Sequence, residues 1–306
     1  MGQEPFGLLE LGSNSLKFYL VVPGNEGTYS VETHRRPWNV AHDFFAAGRL
    51  SESTIEEIIE ALRSSERHSR GVRLSTMIGI ATGVFRELED LPTVTAHVGR
   101  HTGLRIRVIS GEDEARLMAK CLPAEKRQGV VVLCDLGGAT LQWTWIEDGK
   151  TKGWGSQPLG AIRNEYEFRH LRTRLEEYLR ESTKYCDERL LALPVLDGGT
   201  VLATGGTARA AAQCLGHDRI AGDSLRRLLE EVLCHGAPSH LGRERQVVFL
   251  PGLVILERVL TRCRAEFLEC AEISVRDGLT QRLIRALATH RRSQLHATLL
   301  LGTHWP

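Results

Sequence analysis

The sequence lacks a dominant charge of either sign. Its 39 lysines and arginines nearly balance its 38 aspartates and glutamates, for a formal net charge of +1. A protein with so little net charge has no overall field to attract nucleic acid or an anionic membrane, so we expect neither as a partner. Any anion that binds must be held by local geometry, such as a glycine-rich turn.

Cysteine patterns of known function are missing too. The 7 cysteines are odd in number, none are spaced as C-x-x-C, and none combine with histidine at zinc-finger spacing. We expect buried thiols in a reducing compartment. The first residues contain no basic stretch followed by a long apolar run, and no apolar stretch approaches the length of a membrane span. The expected location is therefore the cytoplasm.

Two common nucleotide-binding motifs are also absent from the sequence. It contains neither the P-loop pattern G-x-x-x-x-G-K-S/T nor the dinucleotide-binding pattern G-x-G-x-x-G. The sequence therefore argues against a Walker-type NTPase and against a Rossmann dehydrogenase.

Strand-like and helix-like segments alternate along the chain. Residues 7–22 predict two strands joined by a tight turn, and apolar residues at helical spacing predict a helix over 51–67. Further helices are predicted over 253–268 and from about 277 to 289. With 306 residues the chain is long enough for two domains. This alternation predicts an α/β protein.

Two segments of the sequence align with each other without a gap. Residues 9–18 read LELGSNSLKF, and residues 134–143 read CDLGGATLQW. In both, an acid, a leucine and a glycine coincide, and a hydroxyl residue, a leucine and an apolar strand follow. This internal repeat predicts two related domains that face each other across a cleft.

Three glycine and hydroxyl turns follow apolar strands. Such turns let the backbone approach a ligand closely, and their successive N–H groups can form an anion site. The third leads into a strong helix-forming segment, which would place a phosphate near a helix N-terminus. The predicted phosphate-binding residues in these turns are Gly12, Ser13, Asn14 and Ser15, then Gly137, Gly138 and Thr140, and then Gly205, Gly206 and Thr207.

Six segments in order resemble the exopolyphosphatase/guanosine-pentaphosphate phosphatase family, which belongs to the actin-like, sugar-kinase and Hsp70 ATPase superfamily. They are residues 9–17 (LELGSNSLK), 48–51 (GRLS), 81–87 (ATGVFRE), 109–117 (ISGEDEARL), 135–140 (DLGGAT) and 204–209 (TGGTAR). The resemblance runs nearly from end to end, and the segment at 109–117 is its most specific part.

The resemblance implies both a fold and an activity. The fold would be two ribonuclease-H-like domains, residues 1–122 and residues 123–306, with a cleft between them. The activity would be removal of terminal phosphate from inorganic polyphosphate or guanosine pentaphosphate, usually with Mg²⁺. Members of the family often form homodimers.

The resemblance also implies roles for individual residues. Glu114 would orient or deprotonate the attacking water, although a surface glutamate in a first helical turn is the plainer alternative. Arg86 would clamp a phosphate, or else pair with a nearby glutamate. Lys17 would contact phosphate, or else point outward from its strand, and Arg276 would contact phosphate, or else be solvated. Glu10 and Asp135 would hold Mg²⁺ through oxygen atoms.

Four positions depart from the family pattern, and one of them, Leu141, replaces a hydroxyl donor. Gln142 stands where the family has a second catalytic glutamate, and an amide cannot accept a proton near neutral pH, although it can orient a water. Ala139 replaces a glycine at a position where the backbone could need positive φ. Glu10 replaces an aspartate that is shorter by one methylene.

These departures leave three hypotheses for the function. The first is a phosphohydrolase acting on polyphosphate or a guanosine polyphosphate. The second is a regulatory protein of the same fold that binds these ligands with little or no turnover. The third is a kinase or phosphotransferase of the same superfamily. The sequence leaves open the choice of substrate, the chain-length preference and the oligomeric state.

Overall fold

The structure is a computed structural model that describes residues 5–24, 29–68, 72, 74, 77–274 and 277–281. Its contacts divide the chain into two compact units. The first contains the residues up to Asp113 and the segment after Ser274, and the second contains Glu114–Ser274. The predicted domains, 1–122 and 123–306, follow the order of the chain, and their limits stay a prediction.

The first unit is built on a five-stranded sheet. Its strands are β1 (Phe6–Leu11), β2 (Ser15–Pro23), β3 (Tyr29–Pro37), β4 (Met77–Ala81) and β5 (Ile106–Val108), in the spatial order β3-β2-β1-β4-β5. The first three are antiparallel, and β4 and β5 run parallel to β1. Its helices are α1 (Val40–Ala47), α2 (Glu52–His68) and α3 (Leu91–Thr102), with a short 3₁₀ helix at Gly83–Glu87.

Helix α4 (Gly111–Lys120) leads into the second unit, which has a six-stranded sheet. Its strands are β6 (Val130–Leu136), β7 (Leu141–Glu147), β8 (Lys150–Gln157), β9 (Thr200–Gly205), β10 (Arg219–Ala221) and β11 (Phe267–Cys270), in the order β10-β11-β9-β6-β7-β8. The helices are α5 (Ala161–Phe168), α6 (Leu175–Arg189), α7 (Gly206–Leu215), α8 (Gly222–His235) and α9 (Arg243–Cys263), with 3₁₀ turns at Ala124–Arg127 and Arg169–Leu171.

The two sheets have the same topology. In each, three antiparallel strands are followed by two strands parallel to the first, and among the described strands β10 is the extra one, at the edge of the second sheet. This is the strand order of a ribonuclease-H-like domain, so the α/β fold class and the two related domains predicted from the internal repeat are confirmed.

The core of the second unit lies where its helices cover the sheet. Buried side chains of β6, β7 and β9 pack with those of α5 to α9, among them Val132, Tyr178, Val201 and Phe249, each 0% exposed. Burying a side chain of this size stabilises the fold by about 1.5–3 kcal/mol relative to exposure. The sheet therefore holds the ends of β6 and β9, where the predicted turns begin, on a rigid base.

Helix α9 corrects the predicted helix over 253–268. It begins ten residues earlier than predicted, at Arg243, and continues through Pro251. Proline removes one N–H from a helix, which here would leave the carbonyl of Val247 unpaired. The Arg172 guanidinium supplies the missing donor to Val247 O at 3.1 Å. The predicted end was also wrong, because Arg264 adopts a left-handed conformation and strand β11 follows.

Two further expectations concern other parts of the chain. Residues 277–281 are helical, while the rest of the helix predicted to 289 lies outside the described residues, as does Arg276. None of the helices in the described part combines the length and the apolar character needed to cross a bilayer.

Candidate phosphate-binding site

The first predicted turn joins β1 to β2, and its carbonyl groups are bound by the protein. The Gly12 N–H donates to Ser15 O at 3.0 Å, which closes the turn. Gly12 O accepts from the Trp38 indole at 2.9 Å, and Ser13 O accepts from Ala41 N at 3.0 Å. Asn14 O accepts from Trp38 N at 3.4 Å. The chain after β3 therefore holds all three carbonyls of the turn.

Ser13 also joins this turn to the 3₁₀ helix that carries Arg86. Its Oγ accepts from Val84 N at 3.2 Å. Gly83 has φ of 62°, and a Cβ added there would overlap Ser13 Oγ. Only glycine fits this close approach, since it tolerates the left-handed backbone and has no side chain. Arg86 follows directly, and its Nη1 donates to Ile109 O at 3.1 Å.

Glu10 and Lys17 form a cross-strand ion pair beside the first turn. Lys17 Nζ lies 2.6 Å from Glu10 Oε1, and the Tyr19 hydroxyl donates to Glu10 Oε2 at 2.8 Å. Lys17 is therefore paired with Glu10 while its side chain stays 31% exposed. Both oxygens of the Glu10 carboxylate already accept hydrogen bonds and Glu10 is only 9% exposed, which is a poor fit to a metal ligand.

The second predicted turn, between β6 and β7, repeats the geometry of the first. The Gly137 N–H donates to Thr140 O at 3.0 Å. Gly137 O accepts from Ala161 N at 3.0 Å, and Gly138 O accepts from the N–H groups of Ile162 and Arg163 at 2.8 and 3.0 Å. Ala139 O accepts from Arg163 Nε at 2.9 Å. Donors at the start of α5 therefore bind the carbonyl groups of this turn, as Trp38 and the N-terminus of α1 bind those of the first turn.

Each turn also contains amide groups that the described part of the protein does not bind. Within the described residues, the N–H groups of Ser13, Asn14, Gly138 and Ala139 make no hydrogen bond to protein. Successive N–H groups of this kind form an anion-binding concavity. Ala139 does not have positive φ, so the expectation that alanine could strain this turn is wrong.

Gln142 lies on β7 directly behind the second turn and is 1% exposed. Its Nε2 donates to Thr140 Oγ1 at 2.9 Å and to Ser156 Oγ at 3.0 Å. Both hydrogens of its amide are therefore used within the protein. The amide holds two hydroxyl groups in place.

Glu114 lies in the first turns of α4 and is 6% exposed, so the alternative of a solvated surface glutamate is wrong. Ser110 caps this helix, since its Oγ accepts from Asp113 N at 3.0 Å and donates to Asp113 Oδ2 at 2.9 Å. Thr144 Oγ1 donates to Ala115 O at 3.2 Å. Because Thr144 and Gln142 share one face of β7, the helix that carries Glu114 packs on the Gln142 face.

The third predicted turn, between β9 and α7, lies beside the second. Strands β6 and β9 pair in parallel, with Leu136 opposite Gly205. Gly205 has φ of 103°, and a Cβ added there would overlap Leu136 O and lie 3.4 Å from Asp135 Oδ1. The Asp135 carboxylate therefore lies close to the third turn. The Thr207 side chain packs instead on Gly252 of α9, and its Oγ1 is buried without a hydrogen-bond partner among the described residues.

Two arginines at these turns were missed by the sequence analysis. The Arg245 guanidinium, from the first turn of α9, occupies the space where a Cβ of Gly206 would lie. Arg163 binds the second turn as described above. Arg163 lies just after residues 158–161 (PLGA), which weakly resemble the same family and could have drawn attention to it. No sequence signal connects Arg245 to Gly206, because only the packing of α9 brings them together.

The residues present fit Mg²⁺ in part. No group of three or more acidic, histidine or cysteine residues that could hold a metal occurs among the described residues. Mg²⁺ often binds through one or two carboxylates together with substrate phosphates, and the half-exposed Asp135 fits that role whereas Glu10 does not. The seven cysteines are free thiols, of which Cys234 is exposed, and burial raises the pKa of Cys134 well above its usual value.

Comparisons with known proteins show which family the chain is similar to. The profile of the Ppx/GppA phosphatase family matches residues 25–286. Exopolyphosphatase 1 of Mycobacterium tuberculosis is 24% identical over 164 residues, which are 51% of this chain and 46% of that protein. A guanosine-5'-triphosphate,3'-diphosphate pyrophosphatase of Aeromonas salmonicida is 21% identical over 293 residues, 91% of this chain and 59% of that protein.

The solved structures agree with this on the fold. The Ppx/GppA family member of Aquifex aeolicus is 19% identical, with a TM-score of 0.74 over 94% of this chain and 99% of that one. The matches to the mycobacterial and similar curated relatives span about half the length of those proteins. The family profile covers most of the chain and the two-domain actin-like fold agrees with it, so the chain belongs to the Ppx/GppA phosphatase family.

Proposed function

We propose that the protein is a phosphohydrolase that removes terminal phosphate from inorganic polyphosphate or guanosine pentaphosphate. The observation that carries the proposal is the pair of matched turns at residues 12–15 and 137–140. In each, the protein binds the carbonyl groups and leaves amide N–H groups for an anion. Phosphoryl transfer depends on this kind of positioning and charge stabilisation.

Each remaining side chain has a role in this proposal. Glu114 would orient and deprotonate the attacking water, from a helix held on β7 by the Thr144 contact. Arg86 would contact a phosphate oxygen, and its anchor on Ile109 O limits the positions that its guanidinium can reach. Mg²⁺ held by Asp135 and by the phosphates would neutralise charge that develops during transfer.

Support for the substrate class comes from the relatives. The mycobacterial relative is named an exopolyphosphatase, and the Aeromonas relative is named for a guanosine polyphosphate. Both ligands carry a terminal phosphoanhydride, which is the kind of group that amide-lined turns and a water-activating glutamate act on. The ligand proposed here is therefore a linear polyphosphate or a guanosine polyphosphate.

A second candidate function is favoured by Gln142. An amide cannot accept the proton of a water, and both of its hydrogens are bound to Thr140 and Ser156. A chain with one carboxylate at this site could bind the same ligands with little or no turnover. The second candidate is therefore a polyphosphate- or guanosine-polyphosphate-binding regulatory protein of the same fold.

Phosphate release from long-chain polyphosphate and from guanosine pentaphosphate separates the two candidates. The purified wild type, Glu114→Gln and Gln142→Glu would be assayed with and without Mg²⁺. Glu112→Gln is the matched control, because Glu112 lies in the same helical turn as Glu114 but is exposed. If the protein is a hydrolase, the wild type and the control release phosphate, and the rate of release falls about 10²-fold or more in Glu114→Gln.

The other outcomes have distinct meanings. Release that appears only in Gln142→Glu, together with tight binding by the wild type, would establish the regulatory candidate and reject the hydrolase. A wild type that neither releases phosphate from these ligands nor binds them would reject both.

A further inference from the structure

The second turn has a neighbour that neither the family resemblance nor the turn motif indicates. Strand β8 pairs with β7 so that Ser156 lies opposite Gln142, and Gln142 lies opposite Asp135 on β6. These three residues form a row across three strands, two residues before the turn on β6 and two residues after it on β7. Ser156 is half-buried, whereas Gln142 behind it is 1% exposed.

The hydrogen bond between Gln142 and Ser156 has a direction. Gln142 Nε2 is the donor and Ser156 Oγ the acceptor, at 3.0 Å. A hydroxyl group has a single hydrogen, and an oxygen that accepts from an N–H turns its own hydrogen away from that donor. The Ser156 hydroxyl is therefore oriented to donate on the side away from Gln142.

A carboxylate at position 142 would reverse this arrangement. A carboxylate only accepts hydrogen bonds, so the Ser156 hydrogen would turn towards it. The oxygen lone pairs of Ser156 and an added negative charge would then face an incoming anion. The amide at position 142 therefore leaves the Ser156 hydrogen available to donate elsewhere, whereas a carboxylate would not.

We propose that Ser156 donates a hydrogen bond to a phosphate bound at the second turn, and that Gln142 is the positioning residue that directs this donor. The inference rests on the proposed function, in either of its two forms, since both require a bound phosphate. It adds Ser156 as a binding residue and assigns Gln142 to ligand binding.

Titration calorimetry with inorganic tripolyphosphate tests this proposal on the full chain. The proteins compared are the wild type, Ser156→Ala, Ser156→Thr, Gln142→Glu and the double variant Gln142→Glu/Ser156→Ala. Thr151→Ala is the control, since Thr151 is an exposed hydroxyl residue at the other end of β8. The melting temperature of each variant establishes that it is folded.

If Ser156 donates one hydrogen bond to the ligand, each variant should change the tripolyphosphate affinity in a definite way. Ser156→Ala weakens binding about tenfold, Ser156→Thr restores most of it, and Thr151→Ala has no effect. Gln142→Glu weakens binding at least as much, and Ser156→Ala has no further effect in that background. The ratio of the Gln142→Glu and wild-type dissociation constants is larger at pH 8 than at pH 5, because the glutamate gains a proton as the pH falls.

Two results would overturn the inference. If the wild type binds tripolyphosphate and Ser156→Ala binds as tightly, Ser156 is no ligand and only the inference fails. If Ser156→Ala and Gln142→Glu are simply additive, Gln142 does not direct Ser156. A wild type that binds no tripolyphosphate rejects the inference together with the proposed function.

Discussion

At the scale of single residues, the site depends on close approaches that leave no room for a side chain. Gly83 lies against Ser13, Gly160 against Gly138, and Gly206 against the Arg245 guanidinium. Each approach joins a turn to a segment distant in sequence. The glycines are therefore required by tertiary contacts as well as by turn geometry.

Gly83→Ala is expected to destabilise the first unit strongly. The alanine would have an unfavourable left-handed φ of 62° and would overlap Ser13 Oγ. We expect a loss of about 3 kcal/mol in the free energy of unfolding, measured by chemical denaturation. Gly48→Ala is the control, because Gly48 has φ of 71° but nothing within 4 Å, and should lose only about 1 kcal/mol. Equal losses would mean that the contact with Ser13 is unimportant.

Arg163→Met is expected to weaken phosphate binding. The change removes the donor to Ala139 O and a positive charge beside the second turn. We expect tripolyphosphate affinity to fall about tenfold by calorimetry. Arg169→Met is the control from the end of the same helical segment, since Arg169 is exposed and stacks on Tyr166. A similar fall in both variants would point to a general charge effect instead.

At the scale of elements, one arginine joins α5 to the proline-containing helix α9. Arg172 forms an ion pair with Glu165 and donates to Val247 O, the carbonyl that Pro251 leaves without its helical partner. Burial raises the pKa of Glu165, and the Arg172 charge opposes that rise. The helix can contain a proline because a neighbouring element supplies the missing donor.

Arg172→Met is expected to cause a loss of stability that grows with pH. Without the guanidinium, the folded-state pKa of Glu165 rises further above its unfolded value, so ionising Glu165 in the folded protein costs more. The loss is smallest below the unfolded pKa, near 4, and increases as the pH rises through the folded pKa. We expect a loss of about 2 kcal/mol at pH 7.5 and less at pH 5, by denaturation at both pH values.

The double variant Arg172→Met/Glu165→Gln provides the control for this prediction. It should lose most of the pH dependence, because the titrating group is gone. The missing donor to Val247 O would remain as a pH-independent loss. A loss of equal size at both pH values in the single variant would contradict the assignment to Glu165.

At the scale of the whole molecule, the proposed phosphate binding would depend on local turns in a chain of nearly zero net charge. The net charge is +1, and the cations described at the turns are few: Lys17, which is paired with Glu10, and Arg86, Arg163 and Arg245. Binding through amide groups and a few cations differs from binding through a broad basic surface.

This difference predicts selectivity between polyanions. At physiological salt we expect tripolyphosphate to bind and a short DNA duplex to give no measurable binding, since duplex binding relies on many cations. The dependence of tripolyphosphate affinity on salt should be shallow, with a slope that corresponds to about two or three ion contacts. Tight duplex binding with a steep slope would show that a basic surface dominates. The predicted homodimer can be checked by light scattering on the same samples.

Much of the fold and part of the site could be predicted because the signals are local in sequence. The acid, glycine and hydroxyl pattern at residues 10–15 recurs at residues 135–140, and each copy forms the same hairpin turn. Hairpin turns depend on neighbouring residues, so their sequences carry the information. The start of α9 was predicted ten residues too late, and no local pattern around Pro251 indicates the donor that Arg172 supplies to the helix.

The sequence by itself determined the α/β class, the duplicated hairpins, the family and the glycine turns, because each depends on residue types close together along the chain. Only the tertiary structure decided that Glu10 is bound by Lys17 and Tyr19, that Arg245 lies on Gly206, and that Gln142 holds Ser156. These contacts join residues on different strands and helices. Their geometry is set by how the sheet and helices pack, which no local pattern specifies.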